Sequence, residues 1–227
     1  MLRTLKYQGR KIAENLLSTI LVIACIMAFA LLSSFTISID VSMARMVWIT
    51  FVIIYVMSIS VFMSFYTLNF SVALGFGATR KNYAWSLQLM KIVYSIIAAF
   101  VFVGVNLIKE IVTKENINAN NHLLGIFFGV CIATFFLSAI GEMAGELTII
   151  YGKWVAIAIG VIVGLCCGVS GAVVGFMTVS VTSKSAMASI IDVISNFNIG
   201  FNSFIIMLAV GIIISFLNVY LSKKTTL

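Results

Sequence analysis

Two carboxylates that could do chemistry together occur in the segment GEMAGEL. Glu142 and Glu146 are four positions apart, which places both side chains on one face of a helix. Such a pair can act in catalysis, bind a metal ion or relay protons within a membrane. No histidine or second carboxylate pair is available to complete a dimetal site. We therefore expect both groups to be exposed at a cytoplasmic boundary, or to pair with a cation such as Lys153.

A second polar segment, LGFGATRKNY at residues 74–83, interrupts a strongly apolar part of the chain. Its glycines resemble those of a phosphate-binding loop. However, Arg80 stands where a dinucleotide fingerprint has its third glycine, and the lysine–serine or lysine–threonine pair of a P-loop is missing. We therefore exclude nucleotide binding by this segment. Thr79 is instead predicted to be a helix N-cap, with Gly75 and Gly77 allowing the backbone to reverse before it.

The first helical turn after Thr79 carries Arg80 and Lys81, although the helix dipole favours negative charge at that end. Local helix stability therefore does not explain these cations. Lipid phosphates together with the positive-inside rule supply one explanation, and an acidic protein partner supplies another. Tyr83 and Trp85 follow, and their side chains suit a membrane interface.

The composition identifies the elements that must position these residues. Of 227 residues, 62% are hydrophobic and 9% are charged, and the mean hydropathy is +1.18. A soluble domain carries about 25% charged residues, so this chain is not a soluble globule. Proline is absent and glycine is plentiful at 16 residues, which favours unbroken helices packed through small residues. We predict an all-α polytopic membrane protein with a single transmembrane domain over residues 1–227.

Six membrane spans are predicted from apolar runs of about 20 residues. They are Leu16–Phe35, Met46–Phe70, Leu87–Leu107, Leu123–Ile140, Trp154–Met177 and Phe204–Leu221. An excess of Lys and Arg marks the cytoplasmic side. One side collects Arg3, Lys6, Arg10, Lys11, Arg80, Lys81, Lys153, Lys223 and Lys224, with Lys91 just inside the third span, against Arg45, Lys109, Lys114 and Lys184 on the other. Both termini and residues 74–86 and 147–153 are therefore predicted to be cytoplasmic.

Other segments have predicted roles outside the spans. Residues 1–15 form either an amphipathic interfacial helix or a merely positive tail. Residues 178–203 form an outer link that contains a short amphipathic helix. Small residues predict close helix packing near the carboxylates, at Gly141 and Gly145, and in span five, where the contact could be within one subunit or between two. The span-five residues are Gly160, Gly164 and Gly168.

The Gly-x-Thr-Arg-Lys turn, followed by an aromatic residue between spans two and three, resembles the small permease subunits of bacterial ABC transporters. The resemblance is to the ABC type 2 export class in its short Gram-positive form. Six spans, an N-terminal amphipathic helix, cytoplasmic termini and a helical outer segment agree with it. The motif itself covers about ten residues.

This resemblance implies that residues 74–86 are a coupling segment that docks into a separate ATPase subunit. The implied contact residues are Gly77, Thr79, Arg80, Lys81, Asn82 and Tyr83. It also implies a second permease subunit, identical or paralogous, and ATP and magnesium bound by the ATPase rather than by this chain. The chain would then be a non-enzymatic, multi-pass protein of a bacterial cytoplasmic membrane. Its substrates would be peptides, lipids, polysaccharides or drugs, often in antimicrobial-peptide export or immunity.

Two other classes stay open. A stand-alone ion-coupled transporter or channel-like protein needs polar groups deep in the bilayer, and the sequence shows few. A membrane-embedded hydrolase or protease would have to work with a single boundary histidine, His122. A nucleic-acid partner is not expected, because no basic domain lies outside the bilayer. The deep polar residues are Ser58, Ser60, Ser64, Asn69 and Asn106.

Overall fold

The computed structural model describes residues 2–33, 39–75, 77–113, 120–152, 154, 157, 158, 161 and 201–224. The regular structure of these residues is entirely helical. The helices are α1 (Leu2–Ser33), α2 (Ile39–Ser64), α3 (Phe70–Gly75), α4 (Arg80–Thr113), α5 (Asn120–Tyr151) and α6 (Phe201–Lys224). A π-helical turn, Phe65–Asn69, joins α2 to α3.

Among the described residues, four helices are long and apolar enough to cross a membrane. They are Met46–Gly75, Arg80–Val112, Leu123–Tyr151 and Phe204–Ser222. Large apolar side chains lie on the outside of the bundle, including Phe100, Phe128 and Phe216, each at least 60% exposed. An apolar exterior, with the polar side chains of the spans turned inward, is the arrangement that a lipid environment favours. The chain is therefore a membrane-embedded helical protein.

The described helices correspond to four of the six predicted spans, namely the second, third, fourth and sixth. Each of these helices is longer than the predicted span. The reason is that the helix continues into flanking residues, which a span predicted from hydropathy does not include. Residues 16–33 of the first predicted span lie in α1, which is not among the four, and residues 34 and 35 lie outside the described part of the chain. The fifth predicted span lies almost entirely outside the described residues, as do its glycines Gly160, Gly164 and Gly168 and residues 178–200 of the outer link.

The N-terminal segment is not a separate element. Helix α1 continues without a break through residues 15 and 16, where an interfacial helix was expected to give way to a span. One buried stripe follows its length, because residues about four positions apart share a helix face. A separate interfacial helix over residues 1–15 is therefore not confirmed. The stripe consists of Thr4, Gln8, Ile12, Thr19 and Ile23.

Helix α5 is central, since its most extensive contacts are with α2, α4 and α6. Two glycines let the backbone of α2 come close to it. A Cβ atom added at Gly141 would lie 2.8 Å from Cα of Ile59, and one added at Gly145 would lie 2.6 Å from the carbonyl oxygen of Met63. The predicted close helix contact at these two glycines is confirmed.

Candidate functional site

A buried ion pair connects α4 to α5. The Nζ atom of Lys91 lies 2.5 Å from Oε2 of Glu142, and neither side chain is exposed to solvent. Lys91 is about 16 Å along α4 from Arg80, at 1.5 Å rise per residue. The pair therefore lies inside the bundle, toward the end at which α4 begins and α5 and α6 finish.

Neutral polar side chains surround the Glu142 carboxylate. Gln88 donates from Nε2 to Oε1 at 3.0 Å and to Oε2 at 3.2 Å. Asn218 of α6 donates from Nδ2 to Oε2 at 3.1 Å, and the Tyr66 hydroxyl lies 3.4 Å from Oε1. Both oxygens thus accept hydrogen bonds from three elements besides the ion pair. Such multiple donors stabilise a buried carboxylate as an anion.

The Lys91 ammonium is also held from more than one side. It donates to Oγ of Ser215 in α6 at 2.8 Å, and it lies 5.6 Å from the ring centroid of Phe135 in α5. A cation over an aromatic face gains electrostatic stabilisation. Lys91 of α4 therefore contacts side chains of both α5 and α6.

Glu146 lies one turn beyond Glu142 on the same face of α5 and is completely buried. Neither of its carboxyl oxygens has a hydrogen-bond partner among the described residues. A buried carboxylate without a partner is energetically unfavourable. We call Lys91, Gln88, Glu142, Glu146 and Asn218 the charged cluster.

This arrangement corrects the prediction for the two carboxylates. Glu142 and Glu146 are interior residues and are not exposed at a boundary. The cation that pairs with Glu142 is Lys91, whereas Lys153 lies outside the described residues. Exposure at a boundary was therefore wrong, whereas pairing with a cation is confirmed for Glu142, although the cation is Lys91. Lys91 was not considered as the partner because it was counted as a topology signal at the end of a span. A lysine inside an apolar helix, three residues after a glutamine, could have indicated a buried partner.

The turn before α4 is built as the sequence predicted. Gly77 has a φ of +80°, its N–H donates to the Leu74 carbonyl at 2.9 Å, and the N–H of Ala78 donates to the Ala73 carbonyl at 3.1 Å. This pattern of bonds ends a helix with glycine in the left-handed conformation. Gly75, by contrast, is the last residue of α3.

Thr79 is the N-cap of α4, as predicted. Its Oγ1 accepts a hydrogen bond from the backbone N–H of Asn82 at 3.3 Å. Gly77, Thr79 and Lys81 are exposed, and Arg80 and Asn82 are half-buried. These five predicted contact residues therefore all present some surface to the outside of the bundle.

Tyr83 differs from the other predicted contact residues, because its side chain is completely buried. Its hydroxyl donates to the Phe65 carbonyl at 2.5 Å, and its ring packs edge-on against Phe70, with 5.2 Å between centroids. Its own carbonyl accepts a hydrogen bond from Nε2 of Gln8 in α1 at 3.4 Å. In this conformation Tyr83 anchors the turn to α1 and the π-helical turn, and it offers no surface to a partner.

A chain of side-chain contacts connects Tyr83 to the charged cluster. The rings of Tyr83 and Tyr66 pack edge to face with 5.8 Å between centroids. Tyr66 in turn reaches the Glu142 carboxylate. π-helical turns often occur at functional sites in helices, and here the carbonyl of the first residue of the turn, Phe65, accepts a hydrogen bond from the Tyr83 hydroxyl. A physical connection therefore leads from the exposed turn to the buried ion pair.

An apolar cavity of about 760 Å³, open to its surroundings, lies between α2, α4, α5 and α6. Described residues from α2, α4, α5 and α6 line it, and nearly all of them are apolar. Its volume is in the range of sites for small ligands. The charged cluster and the cavity thus lie at different heights between the same helices. The lining includes Phe51, Tyr55, Phe102, Ile126, Phe136 and Phe204.

The described residues contain no group of three or more His, Cys, Asp or Glu side chains that could hold a metal ion. What they bring together is a buried charge pair, an unpaired carboxyl group, an anchored cationic turn and an apolar cavity. No protein-family model matches the chain, and neither a curated protein nor a solved structure matches it.

Proposed function

We propose that this chain is the transmembrane permease subunit of an ATP-driven ABC transporter of the type 2 export class. A separate ATPase subunit would bind ATP and magnesium, and a second permease subunit, identical or paralogous, would complete the pathway. The protein would be a multi-pass protein of a bacterial cytoplasmic membrane with both termini in the cytoplasm. It would carry no catalytic site of its own.

One observation carries the proposal. The turn at residues 77–82 is exposed and cationic on its outer side, while the adjacent Tyr83 is fixed to the interior by a buried hydrogen bond. An element that receives force from a partner needs both properties, a surface for contact and a rigid attachment to the helices that must move. Arg80 and Lys81 would meet acidic groups of the ATPase, and Tyr83 would transmit the displacement to the π-helical turn.

The apolar cavity supports a substrate with a substantial apolar part. Its described lining offers aromatic and aliphatic side chains and very little polar surface. Peptides with apolar faces, lipids and hydrophobic drugs fit this chemistry better than polysaccharides do. Export of such a molecule is therefore the direction and substrate class that we propose.

Co-purification tests the ATPase partnership. A tagged chain expressed in its native membrane is expected to retain an ATPase subunit that carries a P-loop. Charge reversal at the turn (Arg80→Glu with Lys81→Glu) should reduce the retained ATPase at least tenfold. The matched control is Lys6→Glu, which reverses an exposed cation of α1 outside the turn and should leave most of the ATPase bound.

The proposal fails if no ATPase is retained by the unaltered chain, or if the turn variant and the Lys6 variant retain the same amount. Size-exclusion chromatography of each variant establishes that it is folded before retention is compared.

A second candidate function is a stand-alone ion-coupled transporter, and the charged cluster favours it. Ionisable groups within a membrane commonly belong to ion or proton pathways. The sequence suggested a proton relay only for the glutamate pair, which was expected at a boundary, whereas Lys91, Glu142 and Glu146 are all buried in the bundle. Gradient-driven transport by the purified chain in liposomes, with no ATPase present, would select this function over the first.

A further inference from the structure

We propose that Glu146 is a proton-binding site beside the ion pair of Lys91 and Glu142. The inference goes beyond the proposed function, because it holds whichever partner or energy source drives the chain. The proton comes from a hydronium ion of the aqueous phase, whose O–H bond breaks to leave a water molecule, and one O–H bond forms on a carboxyl oxygen of Glu146. The charge of the cluster then changes from minus one to zero.

The first support is the count of charges. Lys91 is a single cation, and its ammonium is already engaged by Glu142 at 2.5 Å and by Ser215 at 2.8 Å. Among the described side chains no cation lies within salt-bridge distance of Glu146, so a negative charge there would be uncompensated, and an uncompensated charge in a membrane interior is costly. A bound proton removes this cost without any rearrangement of the helices.

The second support is the difference between the two carboxyl groups. Glu142 accepts hydrogen bonds from Gln88, Asn218 and Tyr66 in addition to the lysine. Glu146 is equally buried, and both of its oxygens are without a partner among the described residues. Neighbours that donate favour the anion, and their absence favours the neutral acid. Glu146 therefore lacks the donors that would favour its anion, one helical turn from a carboxylate that is paired and hydrogen-bonded.

The ionisable groups around Glu146 come from several elements. Glu142 is on its own helix, and Tyr66 of the π-helical turn interacts electrostatically with both glutamates. Lys91 and Tyr83 of α4 interact with Glu142. From α6, Asn218 and Ser222 are neutral polar groups of this region, and the side chains of Lys223 and Lys224 lie outside the described part of the structure. Lys91 is the one cation among these described neighbours, and Glu142 holds it.

Infrared spectroscopy of the full chain in lipid nanodiscs tests the proposal. The unaltered protein should show the carbonyl stretch of a protonated carboxyl group, shifted in deuterium oxide, and its intensity should fall as the pH is raised. Glu146→Gln should remove this band. The matched control Glu110→Gln changes another carboxyl group of the chain, in α4, and should keep the band.

Because Glu146→Gln could impair folding, two further measurements are included. Glu146→Asp keeps a carboxyl group and should keep a band at a shifted frequency. Dicyclohexylcarbodiimide, which attacks protonated carboxyl groups in apolar surroundings, should label Glu146 of the unaltered protein at least tenfold more than Glu142, as mapped by mass spectrometry.

Three results would overturn the proposal. The first is a protonated-carboxyl band that survives in Glu146→Gln, and the second is preferential labelling of Glu142. The third is a band that disappears when sodium ions are added at constant pH, since this would make a metal cation the ligand. None of these results depends on whether an ATPase is retained in the co-purification experiment.

Discussion

The ammonium group of Lys91 lies 2.5 Å from Oε2 of Glu142, and this contact joins α4 to α5 across 51 positions of sequence. Both residues are fully buried in a bundle whose outer surface is apolar. Buried ion pairs contribute little net stability compared with apolar packing, so their presence in a membrane protein points to a role in function. In this chain the pair lies at the end of the connection that starts at the exposed turn.

Removing one member of the pair should be much more damaging than removing both charges. Lys91→Met leaves a buried carboxylate without its cation, and we expect a loss of about 3 kcal/mol in the free energy of unfolding. Glu142→Gln should cost a similar amount because it leaves the ammonium unpaired. The double variant should recover at least half of either loss. Unfolding in mixed detergent micelles measures these values, and strictly additive losses would show that the pair is not coupled.

Gly145→Ala should destabilise the contact between α5 and α2. The added Cβ would lie 2.6 Å from the Met63 carbonyl oxygen, which is backbone and can move only if the helices separate. Overpacking of this kind costs about 1–3 kcal/mol. Gly104→Ala is the matched control, since a Cβ there meets no atom within 4 Å and should stabilise α4 by up to about 1 kcal/mol. Equal effects of the two substitutions on thermal unfolding would contradict the packing described for α5.

Tyr83→Phe removes the hydroxyl that bonds to the Phe65 carbonyl while keeping the ring contacts. We expect a loss of about 1 kcal/mol, the usual net value of a buried hydrogen bond. Backbone amide exchange should also become faster at residues 77–82, because the turn loses its attachment to the π-helical segment. Tyr151→Phe is the control, as Tyr151 is 68% exposed. Unchanged exchange in the turn of Tyr83→Phe would argue against Tyr83 as its anchor.

The exposed charges of α1 give a prediction about pH. The hydrogen bond from the Lys11 ammonium to the Glu14 carboxylate, at 2.8 Å, lowers the pKa of Glu14 and raises the pKa of Lys11. The contribution of Glu14 to stability is therefore present above its unfolded pKa and is lost as the pH falls through the folded value. The contribution of Lys11 is present below its unfolded pKa and is lost as the pH rises through the folded value.

Carbon-13 NMR of labelled glutamate in the micelle-bound protein measures the effect on Glu14. Its titration midpoint should lie below that of an ordinary glutamate, and Lys11→Ala should move it upward. Lys6→Ala, which removes a cation from the same helix, should move it less. The stability change itself will be small, because solvent and salt screen an exposed pair. Identical midpoints in the two variants would exclude the Lys11 contact in solution.

Several parts of the fold follow from local sequence. The four described spans follow from runs of apolar residues, since a lipid-exposed helix needs an apolar surface along its length. The cap at Thr79 and the left-handed glycine at Gly77 were also predictable, because each depends on the chemistry of one or two neighbouring residues. A close helix contact at Gly141 and Gly145 was also predicted from the sequence, but the sequence did not show that α2 is the helix in contact.

The burial of Glu142, Glu146 and Tyr83 was not predictable in the same way. Each of these residues lies close to an end of a predicted apolar run, where hydropathy does not distinguish a solvent-facing side chain from one that faces the bundle. Lys91 illustrates the problem, because a lysine at this depth could extend to the membrane surface or turn inward. The choice depends on whether a carboxylate from another helix lies opposite.

The sequence by itself determined that this is a helical membrane protein, where its described spans lie, and that a capped cationic turn precedes α4. These properties depend on composition, periodicity and contacts between near neighbours in the chain. Only the tertiary structure decided that Lys91 pairs with Glu142, that Glu146 is buried beside them without a partner, and that Tyr83 connects the turn to the interior. These contacts join residues far apart in sequence, so they exist only once α2, α4, α5 and α6 have packed together.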